Sequence, residues 1–243
     1  MRILSILYTA WAAMWVLIGF VVTMPVNLVL MRFTKAYSII HFIRKIWAYF
    51  IFLPSAMYVK VQGKEELIGL DKFIYAPNHS SYIDIPACTL ALPGTLCFMA
   101  KAELAKIPVF GYFFKSIDIA VNRGSIISAH NGFKTAGERL DIGQIPLIFP
   151  EGTIPANSPE LGRFKSGAFK LAITKNVPIV PVTMLDNSKR FPDNKPLRAT
   201  PGKMRVIIHR PIPTSHLNIA DSDALMQEVY DIIEASLKKH HAI

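Results

Sequence analysis

Between Ile3 and Met31 the chain carries no charged side chain, and Pro25 is the one strong helix breaker in those 29 residues. A helix over the whole run would extend roughly 43 Å at about 1.5 Å per residue, longer than a ~30 Å hydrocarbon core; a break at Pro25 would leave about 22 residues. A basic stretch, Arg32 to Lys45, follows. Then comes a second uncharged run, Ile46 to Val59, rich in aromatics (Trp47, Tyr49, Phe50, Phe52) and, at 14 residues, short for a span. Two arrangements fit: one transmembrane helix followed by an interfacial one, or a helical hairpin half-buried in one leaflet with Trp and Lys/Arg at head-group level. In both, Arg32, Lys35, Arg44 and Lys45 set the following chain on the cytoplasmic side by the positive-inside rule. A cleaved signal sequence needs a shorter apolar core and a small-residue cleavage site, whereas this run ends in Leu30 and Met31. The soluble alternative buries both helices in a core.

At 243 residues the chain has room for one ordinary domain and an accessory segment, divided here as 1–57, hydrophobic membrane-anchoring helices, and 58–243, an α/β domain. Hydrophobic residues make up 51%, charged ones 18%, and mean hydropathy is +0.33, which excludes intrinsic disorder and directs attention to lipid. The net charge of +10 suits anionic partners, phospholipid head groups or nucleic acid. The cations are spread among apolar runs without a recognisable binding motif, which argues against nucleic acid. Cys88 and Cys97 lie in apolar surroundings without metal-ligand spacing and read as reduced packing residues of a cytoplasmic protein.

From Tyr58 onward, short β-rich runs (58–61, 73–76, 95–100, 117–121, 146–149, 179–184 and 204–209) alternate with amphipathic ones. Ile126, Ala129, Phe133, Ala136 and Leu140 mark one helix face, and Leu225, Val229, Ile232 and Leu237 a C-terminal helix capped by Asp221 or Ser222. The strands are apolar throughout rather than alternating. The fold class is therefore α/β, a mostly parallel or mixed sheet covered by helices, preceded by the membrane-associated helical segment. In such sheets the strand-to-loop junctions carry the chemistry.

Four constellations stand at those junctions. Asn78-His79-Ser80-Ser81-Tyr82-Ile83-Asp84 follows one strand and leads into a helix. A His with a carboxylate in reach is a minimal general base, because the carboxylate selects the tautomer and stabilises the imidazolium. Residues five apart cannot share one helix face, so His79 belongs in the turn before the helix with Asp84 reaching back. Phe149-Pro150-Glu151-Gly152-Thr153 follows another strand, where Gly152 permits a tight turn and Glu151 and Thr153 can bind hydroxyls. Lys101 and Arg123 each lie just past a strand, where cations can clamp a phosphate. Val177-Pro178-Ile179-Val180-Pro181-Val182 reads as a strand entrance and an interrupted edge. Singly, each has a plain structural reading: a helix-entrance His, a capped turn, solvated charges, an edge strand.

Together and in this order the blocks resemble the glycerolipid acyltransferase family, closest to the lysophosphatidate (1-acylglycerol-3-phosphate) O-acyltransferases. Lys101-Ala102-Glu103-Leu104 with Ile107-Pro108 and Gly111, and Phe164-Lys165-Ser166-Gly167-Ala168, extend the match, which runs from Tyr58 to His209. The resemblance implies that His79 and Asp84 form the catalytic dyad and that Lys101, Arg123, Glu151, Gly152 and Thr153 bind substrate. It also implies that Pro178, Val180 and Pro181 support an acyl pocket. Two positions depart from the pattern: Asn122 where many members carry Asp, and Ile154 where an Arg commonly follows the Glu-Gly-Thr turn. Losing that Arg removes a phosphate contact, so an amino-acid-containing or other lysolipid acceptor stays open.

The activity so implied is transfer of an acyl group from an acyl-coenzyme A or acyl carrier protein thioester to the sn-2 hydroxyl of lysophosphatidate, with His79 as base and no covalent enzyme intermediate. No Gly-x-Ser-x-Gly elbow accompanies Ser80 and Ser81. No His-Glu-x-x-His or paired-Cys motif marks a metal site, and no cofactor beyond the co-substrate is expected. The competing readings are a lipid or thioester hydrolase and a basic membrane-surface binding protein.

Overall fold

The structure, a computed structural model, describes residues 2–32, 36–107, 111–122, 124–193 and 198–243. Its elements run α1 (Arg2–Leu30), α2 (Tyr37–Phe52), β1 (Met57–Gln62), β2 (Ile74–Pro77), α3 (Asp84–Ala91), β3 (Leu96–Lys101), α4 (Tyr112–Ser116), β4 (Ile119–Val121), α5 (Ile126–Asp141), β5 (Ile145–Leu147), α6 (Gly167–Lys175), β6 (Ile179–Met184), α7 (Asn187–Arg190), β7 (Gly202–Ile208) and α8 (Ser222–Lys239).

The strands form one sheet in the order β1-β7-β6-β2-β5-β3-β4. The β6–β2–β5–β3–β4 part is parallel, and β7, antiparallel to β6 and parallel to β1, makes the sheet mixed. β2, β5 and β6, in the middle of the sheet, are buried at every position; β1 and β7, at one end, instead alternate, with Lys60, Gln62, Lys203 and Arg205 on their less buried side, against the expectation of strands apolar throughout. Tyr75, Leu96, Phe98, Val180 and Val182 face one core with α3 and parts of α1 and α2, while Ile74, Ala76, Cys97, Ile148 and Ile179 face the other with α5, α6 and α8. Cys88 and Cys97 are free, fall on opposite faces, and have their thiol pKa raised by burial. The strand expected at 117–121 begins only at Ile119, because Ile117 is drawn into a third cluster with Met24 and Ile40, and Asp118 into an ion pair. Asp221 stands at the N-cap of α8, but its carboxylate turns back to accept from Asn218 N at 2.8 Å.

The N-terminal helices depart from expectation in three ways. α1 passes through Pro25 without a break, because packing holds it on both sides. Before the proline, Gly19 lies so close to α2 that a Cβ there would meet Phe50 Cβ at 2.6 Å; beyond it, Leu28 and Leu30 join the Met24–Ile40 cluster. α2 runs back antiparallel, with Trp47 Nε1 donating to Val16 O at 3.1 Å, Trp11 Nε1 to Pro54 O at 2.9 Å and Tyr8 Oη to Ser55 O. Second, the boundary at 57/58 is a change in surface chemistry and not in packing. Ala12, Ile51 and Phe52 belong to the same core as α3 and the sheet, and Ala199 N donates to Thr9 Oγ1 at 2.9 Å. Third, Arg44 is not a head-group cation. It is buried, with Nη1 2.9 Å from both carboxylate oxygens of Asp118, Nη2 donating to Leu96 O at 2.7 Å, and its guanidinium over the Phe98 ring. Lys35 lies outside the described residues.

Removing one partner of a buried ion pair strands the other charge, which costs about 3 to 5 kcal/mol, whereas replacing both by apolar groups is often neutral. Asp118→Ala should therefore lower the unfolding free energy by about 3 kcal/mol in urea titrations of detergent-solubilised protein. The pair Arg44→Met with Asp118→Leu should recover most of that loss; equal loss in both would contradict the assignment.

Candidate active site

The backbone leaves β2 at Pro77 and makes a tight turn into α3, a turn organised by the carboxylate of Asp84. This residue opens α3 and is fully buried. Its Oδ2 accepts from Ser80 N at 2.6 Å, Ser81 N at 2.9 Å and His79 Nδ1 at 2.8 Å. The helix N-terminus favours negative charge at that position, and the carboxylate satisfies two backbone N–H donors that the turn exposes. A carboxylate only accepts, so His79 Nδ1 carries a proton, and in the neutral ring the lone pair is on Nε2. The His79 ring stacks on Phe149, centroid to centroid 4.1 Å, and its side chain is 13% exposed. The structure thus brings His79 and Asp84 together as a tautomer-fixed base. Ser81 Oγ donates to Phe191 O, so this hydroxyl is engaged elsewhere.

His79 lines a cavity of about 310 Å³ with Lys101, Phe149, Thr153 and Ile154. Lys101 ends β3 at its rim, half exposed and 3.6 Å from Glu103 Oε1. Arg123 lies outside the described residues. Beside it, Asn122 Oδ1 accepts from Gly124 N at 3.0 Å, a short-range bond that suits an Asn or Asp equally. Gly152 has φ +71°, a left-handed conformation that favours glycine.

Glu151 differs from its expected role. It is 4% exposed, and each oxygen accepts a backbone N–H at 2.7 Å, one from His79 and one from Gly162. It therefore ties the turn carrying His79 to the loop after β5, and it is absent from the lining of the cavity that His79 faces. Pro178, Val180 and Pro181 also differ. Pro178 immediately precedes β6, and Val180 and Pro181 lie in it in the middle of the sheet, beside Tyr75 and Ala76 of β2; they line neither the cavity that His79 faces nor its apolar neighbour. Their contribution is to hold the strand that delivers His79.

That neighbour is a cavity of about 570 Å³ enclosed by α1, α2 and α3, with Ala12, Val16, Trp47 and Ile51 in its wall. Tyr82 and Ile85 line both cavities, so the two adjoin beside the dyad. Neither the α1 contribution nor the hydrogen bond from Asn187 Nδ2 to Asp84 Oδ1, 2.6 Å, was read from the sequence. Asn187 lies 103 residues beyond Asp84, and no local pattern marks it.

A base fixed by a buried carboxylate, facing a cavity that adjoins an apolar one, suits proton abstraction from a hydroxyl or water next to a long apolar group. The chain belongs to the acyltransferase family, whose model matches residues 58–185. It is 33% identical over 186 residues to a chloroplastic 1-acyl-sn-glycerol-3-phosphate acyltransferase of Brassica napus, a match covering 76% of this chain and 53% of that one. It is 29% identical over 231 residues to a 1-acyl-sn-glycerol-3-phosphate acyltransferase of Chlamydomonas reinhardtii, covering 94% and 69%. The chain thus spans only about half to two thirds of the length of these relatives. The crystal structure of the 1-acyl-sn-glycerophosphate acyltransferase of Thermotoga maritima shares the fold, with TM-score 0.83 at 23% identity over 100% of this chain and 98% of that one.

Burial pushes the Glu151 carboxyl from its ordinary 4.5 up to about 7, against the pull of its two N–H donors. Between these values the folded chain holds a proton that the unfolded chain has released, so this group's contribution to stability falls as pH rises from about 4.5 to 7 and is level above. At about 1.4 kcal/mol per unit the change is at most about 3 kcal/mol. Relative to Glu151→Gln, the wild-type unfolding free energy should drop between pH 5 and pH 8; parallel profiles would contradict the shift.

Proposed function

We propose that the chain transfers a fatty acyl group from a thioester donor to the sn-2 hydroxyl of lysophosphatidate, making phosphatidate. The observation that carries this reading is the His79–Asp84 pair facing a cavity that adjoins a larger apolar one. His79 Nε2 takes the proton of the acceptor hydroxyl as its oxygen attacks the thioester carbonyl. The tetrahedral intermediate then expels the thiolate, which recovers the proton from the imidazolium. No enzyme nucleophile, metal or cofactor enters this sequence. Lys101, Thr153 and Arg123 are the residues we assign to the acceptor, with Lys101 and nearby backbone N–H groups as oxyanion donors. The donor is a coenzyme A or acyl carrier protein thioester. Ile154 gives the catalytic cavity an apolar wall, which supports as a second reading a lysolipid whose head group is not a phosphate.

The helical hairpin serves as the membrane anchor. Ile3, Leu7, Leu17, Val21, Phe42 and Leu53 are each at least 60% exposed, an apolar surface suited to lipid. α1 touches the α/β domain at two well-separated places, through Thr9 with Ala199 and through Met24 with Phe113 and Ile117. A helix held along its length in this way fits lying in one leaflet better than crossing the bilayer, with the domain on the cytoplasmic side.

The direct test is a transfer assay with both donors against a panel of lysolipids. His79→Ala should lower transfer by about 100-fold or more in a folded preparation, since a positioned base contributes about 10² to 10⁴; near-wild-type turnover would sink the reading, and thioester loss without acylated lysolipid would mark a hydrolase. We place the transferred chain in the apolar cavity. Ala12→Leu, which fills its wall, should cut kcat/KM for a long-chain relative to a short-chain thioester by about tenfold, because misfitting methylenes are worth about 1 to 3 kcal/mol each. An unchanged chain-length profile would remove the acyl group from that cavity.

A further inference from the structure

The Asp84 carboxylate has an unequal environment: three donors converge on Oδ2, and Oδ1 has a single one, Asn187 Nδ2 at 2.6 Å. Asn187 is fully buried, and its own Oδ1 has no hydrogen-bond partner among the described residues. An unpaired buried acceptor is costly, so an amide at this site is explained by what its Nδ2 does. Its orientation follows from the same bond, because the flipped amide would set one acceptor oxygen against another.

The backbone around Asn187 is held from several directions. Asp186 accepts from Arg205 N, Nε and Nη2 at 3.0, 2.7 and 2.7 Å, and Phe191 N donates to Asn187 O at 2.9 Å. Just before it, Met184 N donates to Asn78 Oδ1 at 2.7 Å and Asn78 Nδ2 to Met184 O at 3.3 Å, which ties the end of β6 to the start of the His79 turn. The β6–β7 connection is thereby fixed as the rear wall of the dyad.

We infer that Asn187 is a positioning residue for the acyl-transfer reaction, which sets the rotamer of the Asp84 carboxylate so that Oδ2 faces His79 Nδ1. It touches neither His79 nor the cavity. Without it a buried carboxylate oxygen is bare and the carboxylate can rotate away from the imidazole, so the fraction of enzyme with Nε2 correctly poised falls while the substrate-binding surface is unchanged. This inference rests on the reading of His79 as the base.

The test compares His79→Ala, Asn187→Ala and Asn187→Asp in the full chain in detergent, with thermal unfolding measured alongside kcat and both KM values. Asn187→Asp keeps the shape but offers a donor only when protonated. The titratable and charged groups nearby are Asp84, which it contacts, His79, Cys88 and Glu151, which face Asp84, and the Asp186–Arg205 pair beside it in the chain; all are retained in both variants, so each variant is read as a ratio to wild type at the same pH. Asn187→Ala should lower kcat about 10- to 100-fold, the effect of a misplaced catalytic group, with both KM values within about twofold. Asn187→Asp should show a comparable loss at pH 8 that recedes as pH falls, a dependence that Asn187→Ala lacks. Should Asn187→Asp fail to fold, the kcat against KM split in Asn187→Ala decides alone. If His79→Ala is inactive while both Asn187 variants turn over like wild type, or raise KM instead, the inference fails and the function stands. If His79→Ala is active, the functional reading itself has failed.

Discussion

A carboxylate with no access to water is tolerated only when donors surround it, and the catalytic end of this molecule is arranged to meet that requirement for Asp84. Two of its donors are backbone N–H groups of the turn between β2 and α3, so the turn cannot relax without stranding the charge. A third is the His79 ring, and the last comes from the segment after β6. Glu151 acts as a second buried clasp behind the first, joining His79 N to Gly162 N. Two carboxylates therefore fix one imidazole, one through its ring and one through its backbone. Neither needs to touch a substrate.

The other structural charge pair performs the same service for the hairpin. Arg44 reaches from α2 to Asp118 and to the carbonyl of Leu96, which lies at the start of β3. Asp118 Oδ1 also accepts from Phe98 N at 3.0 Å, so the pair is built into the sheet itself. Apolar contacts alone would let α2 slide along α3, because they are not directional. A guanidinium fork with two acceptors in the sheet sets one register. That register matters because α1 and α2 form about half of the wall of the larger cavity.

Legibility from sequence followed the range of the interactions. The central strands were readable because both sheet faces are buried there, so β2, β5 and β6 appear as apolar runs, while β1 and β7 alternate because one of their faces is less covered. His79 and Asp84 were readable as a pair because the turn that joins them is local. Glu151 was noticed but assigned to substrate, since a Glu beside a Gly turn looks the same whether it faces solvent or two backbone N–H groups. Pro25 pointed to a break that the packing at Gly19 and Met24 overrides. Arg44 looked like one more cation in a basic cluster, and only its partner 74 residues away makes it a core residue. Asn187 left no local mark at all: its meaning exists only once β6 lies beside β2.

The hairpin is thus two things at once. Its outer face is apolar and exposed, and its inner face closes the cavity that adjoins the dyad. A membrane anchor joined by a flexible linker would raise local substrate concentration and nothing more. Here Ala12 and Val16 face the cavity while Leu7 and Val21, on the same helix, are exposed and line no part of it. The helix must then keep its place on the domain for the cavity to exist. Tyr8 and Trp11 pin α1 to the Pro54 and Ser55 carbonyls within the hairpin, and Thr9, which accepts from Ala199 N, ties it to the domain. An anchor moving freely on the domain would have no use for the Thr9 bond.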